Sequence, residues 1–164
     1  MLDNSPTNAG GTAIYVSDDL VWNKRGDIKF NFSNCEACFI DVECKSSSKN
    51  PVFGALYRHP GYYAQPFCSY LGEFLEPFAE RGVKLTIMGD VNIDLNKTNP
   101  VSNEYVNTLN SYGFSALINQ PTRIFHYEGS NSVSCSTIVH LNTNSRVVFT
   151  KTGILIADVS DHLC

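Results

Sequence analysis

The chain has 164 residues and a formal net charge of −4, and these values limit its domain count and its partners. The length suits one domain, and 43% hydrophobic with 17% charged residues is the ordinary mix of a globular protein with a buried core. The acidic balance does not suggest a typical nucleic-acid-binding protein, although a local basic patch is compatible with it. The sequence lacks an apolar run of about 18 residues and a basic segment followed by an apolar one, so neither a membrane span nor a secretory signal is expected.

Six strand-like runs follow a polar leader at residues 1–9, which is expected to be disordered. They are rich in apolar and β-branched residues and cover 12–16, 37–44, 52–58, 83–89, 136–141 and 153–157. The run at 37–44 alternates, with Phe39, Asp41 and Glu43 on one face. A half-buried strand is predicted there.

The first predicted helix lies between the third and fourth strands. It begins near Gln65, with Pro66 at a favourable first position, and apolar residues recur at three- and four-residue steps up to Gly82. Pro77 interrupts this pattern because it has no amide donor. The last turn of the helix is therefore predicted to be kinked or separate.

The second predicted helix follows the fourth strand. It starts at Asn99-Pro100, a capping residue followed by proline in the first turn, and Gly113 suits its end. Strands before, between and after two helices predict a layered α+β or α/β fold.

The cysteines show no regular pairing pattern. Cys35 and Cys38 form a CxxC, but no second CxxC or histidine pair follows at zinc-finger spacing. A structural zinc and a disulfide remain alternatives, and reduced thiols in an intracellular protein are the favoured interpretation.

Two polar residues stand where the fourth strand ends. Residues 85–95 read LTIMGDVNIDL, so Asp90 and Asn92 are separated by one residue. In extended backbone both side chains would point the same way. A carboxylate beside a carboxamide suits a phosphodiester site, in which one group handles water and the other holds the phosphate. A turn at Gly89-Asp90 with Asn92 as a local cap is the alternative.

Three further polar clusters offer groups that bind phosphate. Tyr57-Arg58 closes the third strand, Thr122-Arg123 adds a hydroxyl and a second cation, and Ser160-Asp161-His162 follows the last apolar run. Guanidinium groups bind phosphate bidentately, and imidazole donates or accepts protons near neutral pH. Taken singly, each cluster is better explained by a solvated or purely structural role.

The order of these motifs resembles a known family. The matching segments are GGTAIYV at 10–16, YRHP at 57–60, GDVNID at 89–94, PTR at 121–123 and SDH at 160–162. They are similar to motifs of the endonuclease/exonuclease/phosphatase superfamily, and more closely to the apurinic-endonuclease-like domain of non-LTR (LINE-type) retrotransposons. The resemblance implies an α+β fold at 10–164, with two packed β-sheets flanked by helices in a four-layer α/β/β/α sandwich, here incomplete.

The resemblance also implies roles for individual residues. Asp90, Asn92, Asp161 and His162 would be catalytic. Tyr57, Arg58, Thr122, Arg123 and Ser160 would contact the substrate. Asp90 and Asp161 would hold Mg²⁺, with Mn²⁺ as an alternative. The implied reaction nicks one DNA strand to leave a 3′-hydroxyl, in the nucleus, beside the reverse-transcriptase domain of a full-length element.

The sequence departs from the family pattern in three places. Nine residues precede Gly10, so the upstream strands with an Asn and the principal metal-binding Glu are not matched, and weak metal binding is expected. Val139 stands where the family has an aspartate that orients the catalytic histidine. The chain also stops two residues after His162, where a last strand would follow. A fragment truncated at both ends, with impaired activity, is the resulting expectation.

Two alternatives to a DNA-nicking enzyme follow from these departures. The first is a non-catalytic remnant, or a module kept for binding DNA or protein. The second keeps the superfamily and changes the substrate to a phosphoinositide or to sphingomyelin, which the YRHP and PTR segments disfavour.

Overall fold

The computed structural model describes residues 11–45, 47–127, 129 and 131–145, which form two helices and eight strands. In chain order these are β1 (Trp22–Lys24), β2 (Cys35–Val42), β3 (Val52–Arg58), α1 (Ala64–Glu80), β4 (Leu85–Asp90), α2 (Pro100–Ser111), β5 (Ser115–Ala116), β6 (Arg123–His126), β7 (Val133–Ser136) and β8 (Val139–Thr143). The predicted α+β class, with two sheets and flanking helices, is confirmed.

A six-stranded sheet in the order β1-β2-β3-β4-β8-β5 forms the framework, and β6 and β7 form a separate hairpin. Its pairs are antiparallel except β3 and β4, which run parallel and are joined through α1. Parallel neighbours need such a crossover, because a tight turn between two strands would make them antiparallel. Because the two strands are parallel, the C-terminal ends of β3 and β4 lie side by side at the same end of the sheet.

Both helices pack on one face of the six-stranded sheet. Along β3, every second residue from Val52 to Arg58 is buried, and the residues between them are half-buried. The buried side chains join the helices in one core, whose members are Phe30, Phe39, Val52, Leu56, Phe67, Cys68, Leu71, Leu75, Leu85, Ile87, Val91, Ile93, Tyr105, Leu109 and Phe114. The opposite face is more open, with Met88 55% and Trp22 46% exposed. We call these the helix face and the open face.

The start of α2 confirms its predicted cap. The Asn99 side chain accepts a hydrogen bond from the Ser102 amide, and the Ser102 hydroxyl accepts one from the Asn99 amide, with Pro100 in the first turn. This reciprocal pair satisfies two amides that the helix itself cannot.

The last turn of the first helix was predicted to be kinked or separate, and it is not separate, because the helix runs as one element through Pro77 to Glu80. Phe74 and Phe78, on either side of the proline, both pack against the core, and their ring centroids lie 5.4 Å apart. These partly buried rings attach the last turn to the core although Pro77 donates no amide hydrogen bond.

Two strand predictions are wrong within the described residues. Residues 12–16 form no strand, although burial alternates there and Tyr15 is 97% exposed. Alternation predicts which residues are covered, but a strand also needs a partner for its backbone. The run at 136–141 is broken between β7 and β8, because the Thr137 amide leaves the ladder to donate to Asp94 Oδ1 at 2.9 Å. The run at 153–157 lies outside the described residues.

A polar network lies inside the core between α2 and β8. Tyr105 Oη lies 3.0 Å from His140 Nδ1 and accepts a hydrogen bond from Asn142 Nδ2 at 2.8 Å. His140 Nε2 lies 3.2 Å from the Thr137 carbonyl oxygen, and the residue is 1% exposed. Burial lowers the pKa of His140 to about 4, because the charged imidazolium would lose its hydration.

This histidine is expected to make the protein less stable in acid. The unfolded chain takes up a proton near pH 6.5, whereas the folded chain does so only near pH 4, so stability falls as the pH is lowered between these values. The full loss is about 3 kcal/mol. Urea unfolding at several pH values should show this slope in the wild type and lose it in His140→Gln. The exposed His126→Gln should keep the slope, and an equal slope in His140→Gln would contradict the prediction.

Candidate active site

The loop that follows β4 brings Asp90 and Asn92 together, though not by extended backbone as predicted. Val91 and Ile93 turn into the core at 1% and 4% exposure, and Asn92 has a left-handed φ of 52°. The Asn92 amide donates to Asp90 Oδ1 at 2.9 Å, which closes a local turn. The Asp90 carboxylate therefore binds the backbone of Asn92, because the chain bends between the two residues.

The buried side chain of Arg58 holds this loop in place. Its guanidinium donates to the carbonyl oxygens of Val91 at 2.7 Å, Asn92 at 3.0 Å and Tyr62 at 3.0 Å. In return, Asn92 Nδ2 donates to the Arg58 carbonyl oxygen at 2.8 Å. We call this set of bonds the Arg58 clamp, and it ties the end of β3 to the loop after β4.

The environment of Arg58 is that of a structural cation. It is 3% exposed, and its guanidinium carbon lies 5.6 Å from the centroid of the Phe67 ring. Burial lowers its pKa from a very high ordinary value, so the group stays charged at neutral pH. Its donors bind backbone carbonyls in this structure, and the predicted contact of Arg58 with substrate stays a prediction.

Thr122 has a similar place inside the protein. It is 1% exposed, and its hydroxyl oxygen accepts hydrogen bonds from the amides of Ile138 and Val139, both at 3.0 Å. It thus shapes the bend that leads from the hairpin into β8. Arg123 follows at the start of β6 and is half-buried. Contacts of these two residues with substrate also stay predictions, and Ser160, Asp161 and His162 lie outside the described residues.

A row of side chains crosses the open face at the end of the sheet where β3 and β4 finish. Glu36 on β2 is the direct partner of Tyr57 on β3, and Asp90 on β4 is the direct partner of Val139 on β8. The paired register of β3 and β4 ends at Ala55 and Met88, and its continuation by two residues leads to Tyr57 and Asp90 at the ends of the two strands. The row therefore reads Glu36, Tyr57, Asp90, Val139 over four neighbouring strands.

The row shows what the sequence could not. Val139 was recognised as a departure from the family, but its position opposite Asp90 depends on the pairing of strands about 50 residues apart. Glu36 was not singled out at all. It lies outside the alternating run predicted at 37–44, and only the register of β2 with β3 places it opposite Tyr57.

The predicted magnesium site stays a prediction. No group of three or more His, Cys, Asp or Glu side chains among them is arranged to hold a metal ion. Asp90 offers one carboxylate, and Asp161 lies outside the described part. Cys35, Cys38, Cys44, Cys68 and Cys135 are free thiols. Burial raises the pKa of Cys35 to about 11 and of Cys68 to about 12, so both are protonated at neutral pH.

Comparison with solved structures decides the fold. The chain is similar to the endonuclease domain of TRAS1, a telomere-specific non-LTR retrotransposon, with a TM-score of 0.67 and 14% identity over 90% of this chain and 67% of that one. The chain has the endonuclease/exonuclease/phosphatase fold.

A bacterial member of this fold gives a second comparison. An endonuclease/exonuclease/phosphatase family protein from Leptotrichia buccalis C-1013-b matches with a TM-score of 0.52 and 14% identity, over 77% of this chain and 51% of that one. The present chain thus spans about half the length of that protein. No family model matches the sequence, and no curated protein matches it. No helix in the described part of the endonuclease/exonuclease/phosphatase fold is long and apolar enough to cross a membrane.

Proposed function

We propose that the chain is a phosphodiesterase that nicks DNA, of the kind carried by non-LTR retrotransposons. The observation that carries this proposal is the clamped loop at the end of β4, which presents Asp90 and Asn92 together in an endonuclease/exonuclease/phosphatase fold. The sequence motifs of the retrotransposon branch support DNA as the substrate. A reverse-transcriptase domain in the full-length element and a nuclear location belong to the same proposal.

The two side chains have complementary tasks. Asp90 accepts the proton of the attacking water as the water oxygen bonds to phosphorus, and the bond from phosphorus to the 3′-oxygen breaks. The released 3′-oxygen takes a proton from solvent to become the 3′-hydroxyl, and the phosphate stays on the 5′ side of the nick. Asn92 has two amide hydrogens, and one of them is held by the Arg58 carbonyl oxygen at 2.8 Å. The other donates to a phosphate oxygen without adding negative charge. Asp161 and His162 complete the proposed site, with Mg²⁺ or Mn²⁺ bound weakly by Asp90 and Asp161.

Replacing Asp90 by alanine is expected to lower the nicking rate by about 10²–10⁴-fold, the usual contribution of a positioned general base. The assay follows conversion of supercoiled plasmid to open circles with Mg²⁺ and with EDTA, and polymerase extension tests the nick for a 3′-hydroxyl. Asp18→Ala, at an exposed position, is the matched control and should nick like the wild type. Equal nicking by Asp90→Ala and wild type would contradict the role of Asp90 as the base.

The second candidate function is a non-catalytic DNA-binding module. It is favoured by Val139, whose apolar side chain stands directly opposite Asp90. Measuring plasmid binding in the same samples separates the two candidates. Binding without Mg²⁺-dependent nicking supports the module, whereas nicking that depends on Asp90 supports the enzyme.

A further inference from the structure

The side chains of Glu36, His59 and Tyr57 form a cluster at one end of the row. Glu36 Oε1 lies 3.1 Å from His59 Nε2, and the His59 ring meets the Tyr57 ring edge to face, with centroids 4.7 Å apart and planes at 72°. Glu36 and Tyr57 are direct partners across β2 and β3, so each of the three side chains contacts or neighbours the other two.

The backbone of His59 and the bond between its ring and Glu36 hold this cluster in place. The His59 amide donates to the Asn34 carbonyl oxygen at 2.9 Å, which fixes the residue just beyond the end of β3. The His59 side chain is 18% exposed and that of Glu36 is 40% exposed. Because Glu36 binds one nitrogen of the His59 imidazole, that ring cannot rotate freely. The contact between the His59 and Tyr57 rings then limits the positions that the Tyr57 ring can take.

The Tyr57 hydroxyl is left available by this arrangement. Among the described residues it has no hydrogen-bond partner, although its ring is held by His59. Next along the row stands Asp90, the proposed base. A phenol held in this way can donate a hydrogen bond to a phosphate oxygen whose phosphorus is attacked from the Asp90 side.

We propose that Glu36 and His59 are positioning residues, which hold the Tyr57 phenol against the scissile phosphate. This inference rests on the proposed function. It assigns a task to the third residue of the YRHP segment and to a carboxylate on a different strand. Neither residue touches the substrate; both act through Tyr57.

A double-mutant cycle on nicking kinetics tests the proposal. His59→Leu should lower kcat on the order of tenfold with little change in KM, because a misplaced contact costs rate more than binding. His59→Gln, which keeps a donor for Glu36, should recover much of this loss. In a Tyr57→Phe background, His59→Leu should have almost no further effect. Losses that multiply would overturn the proposal, and Glu43→Ala, at an exposed position, serves as the control.

A spectroscopic readout separates this inference from the proposed function. In the NMR spectrum, the ring resonances of Tyr57 should shift in Glu36→Ala, because the imidazole is released, and should not shift in Glu43→Ala. If the wild type fails to nick and Tyr57 still shifts, the proposed function fails and the coupling of Glu36 to Tyr57 stands. Unchanged Tyr57 resonances in folded Glu36→Ala would overturn the positioning role whatever the activity.

Discussion

Arg58→Met is expected to lower the free energy of unfolding by about 3–5 kcal/mol, because three backbone carbonyl oxygens lose their donor and each unsatisfied group costs about 1–3 kcal/mol. The Arg58 clamp supplies donors to three backbone carbonyls from two loops. Methionine fills a similar volume but donates no hydrogen bond, so these oxygens lose their partners. The loop that carries Asp90 and Asn92 should loosen as well, and nicking should fall with stability.

Urea unfolding measures the loss, with Arg58→Lys and Arg81→Met as companions. Lysine keeps the charge but cannot span three carbonyls with one ammonium group, so it should recover only part of the stability. Arg81 is exposed at the end of α1, and its replacement should change stability by less than about 0.5 kcal/mol. If Arg58→Met were as mild as Arg81→Met, the clamp would not hold the loop.

Gly89→Ala is expected to be comparably severe, at about 3–5 kcal/mol, because it combines backbone strain with an overlap of atoms. Gly89 has a φ of 151°, and a Cβ there would lie 1.8 Å from the carbonyl oxygen of Leu56 and 2.8 Å from its carbonyl carbon. These are backbone atoms of the neighbouring strand, so no side chain can rotate away. The parallel strands β3 and β4 would have to separate immediately before Asp90.

Gly26→Ala is the matched control for this substitution. A Cβ at Gly26 meets nothing within 4 Å, so this replacement should leave stability within about 1 kcal/mol of the wild type. Thermal or urea unfolding compares the two variants, and amide spectra show whether the change at Gly89 reaches Asn92. Equal stability of the two alanine variants would refute the close approach of the strands.

Local signals in the sequence predicted the elements whose causes are local. The bounds of β3 were correct, and the cap of α2 followed from Asn99-Pro100, because neighbouring residues decide both. Residues 12–16 depart from the prediction because a strand needs a pairing partner, and the turn after Pro77 departs from it because Phe74 and Phe78 pack against residues distant in the sequence. Neighbouring residues indicate whether a segment favours helix or strand. Whether a helix continues past a proline, or a strand finds a partner, depends on tertiary contacts.

The candidate site shows the same division. Asp90 and Asn92 were predicted as a pair, but their proximity depends on a bend that Arg58 stabilises from another strand. The sequence marked Arg58 and Thr122 as cation and hydroxyl, yet it could not show that both side chains bind the backbone inside the protein. Glu36 needed the register of β2 with β3 before it could be connected with Tyr57.

The strand order has a consequence for biosynthesis. On one side, β4 pairs with β3, which precedes it, and on the other with β8, which the ribosome makes later. About 50 residues separate the end of β4 from the start of β8, which is about 3–10 s of translation. During that interval the edge of β4 is an open template for other nascent chains. Slower translation through residues 91–138 is therefore expected to lower the yield of folded protein.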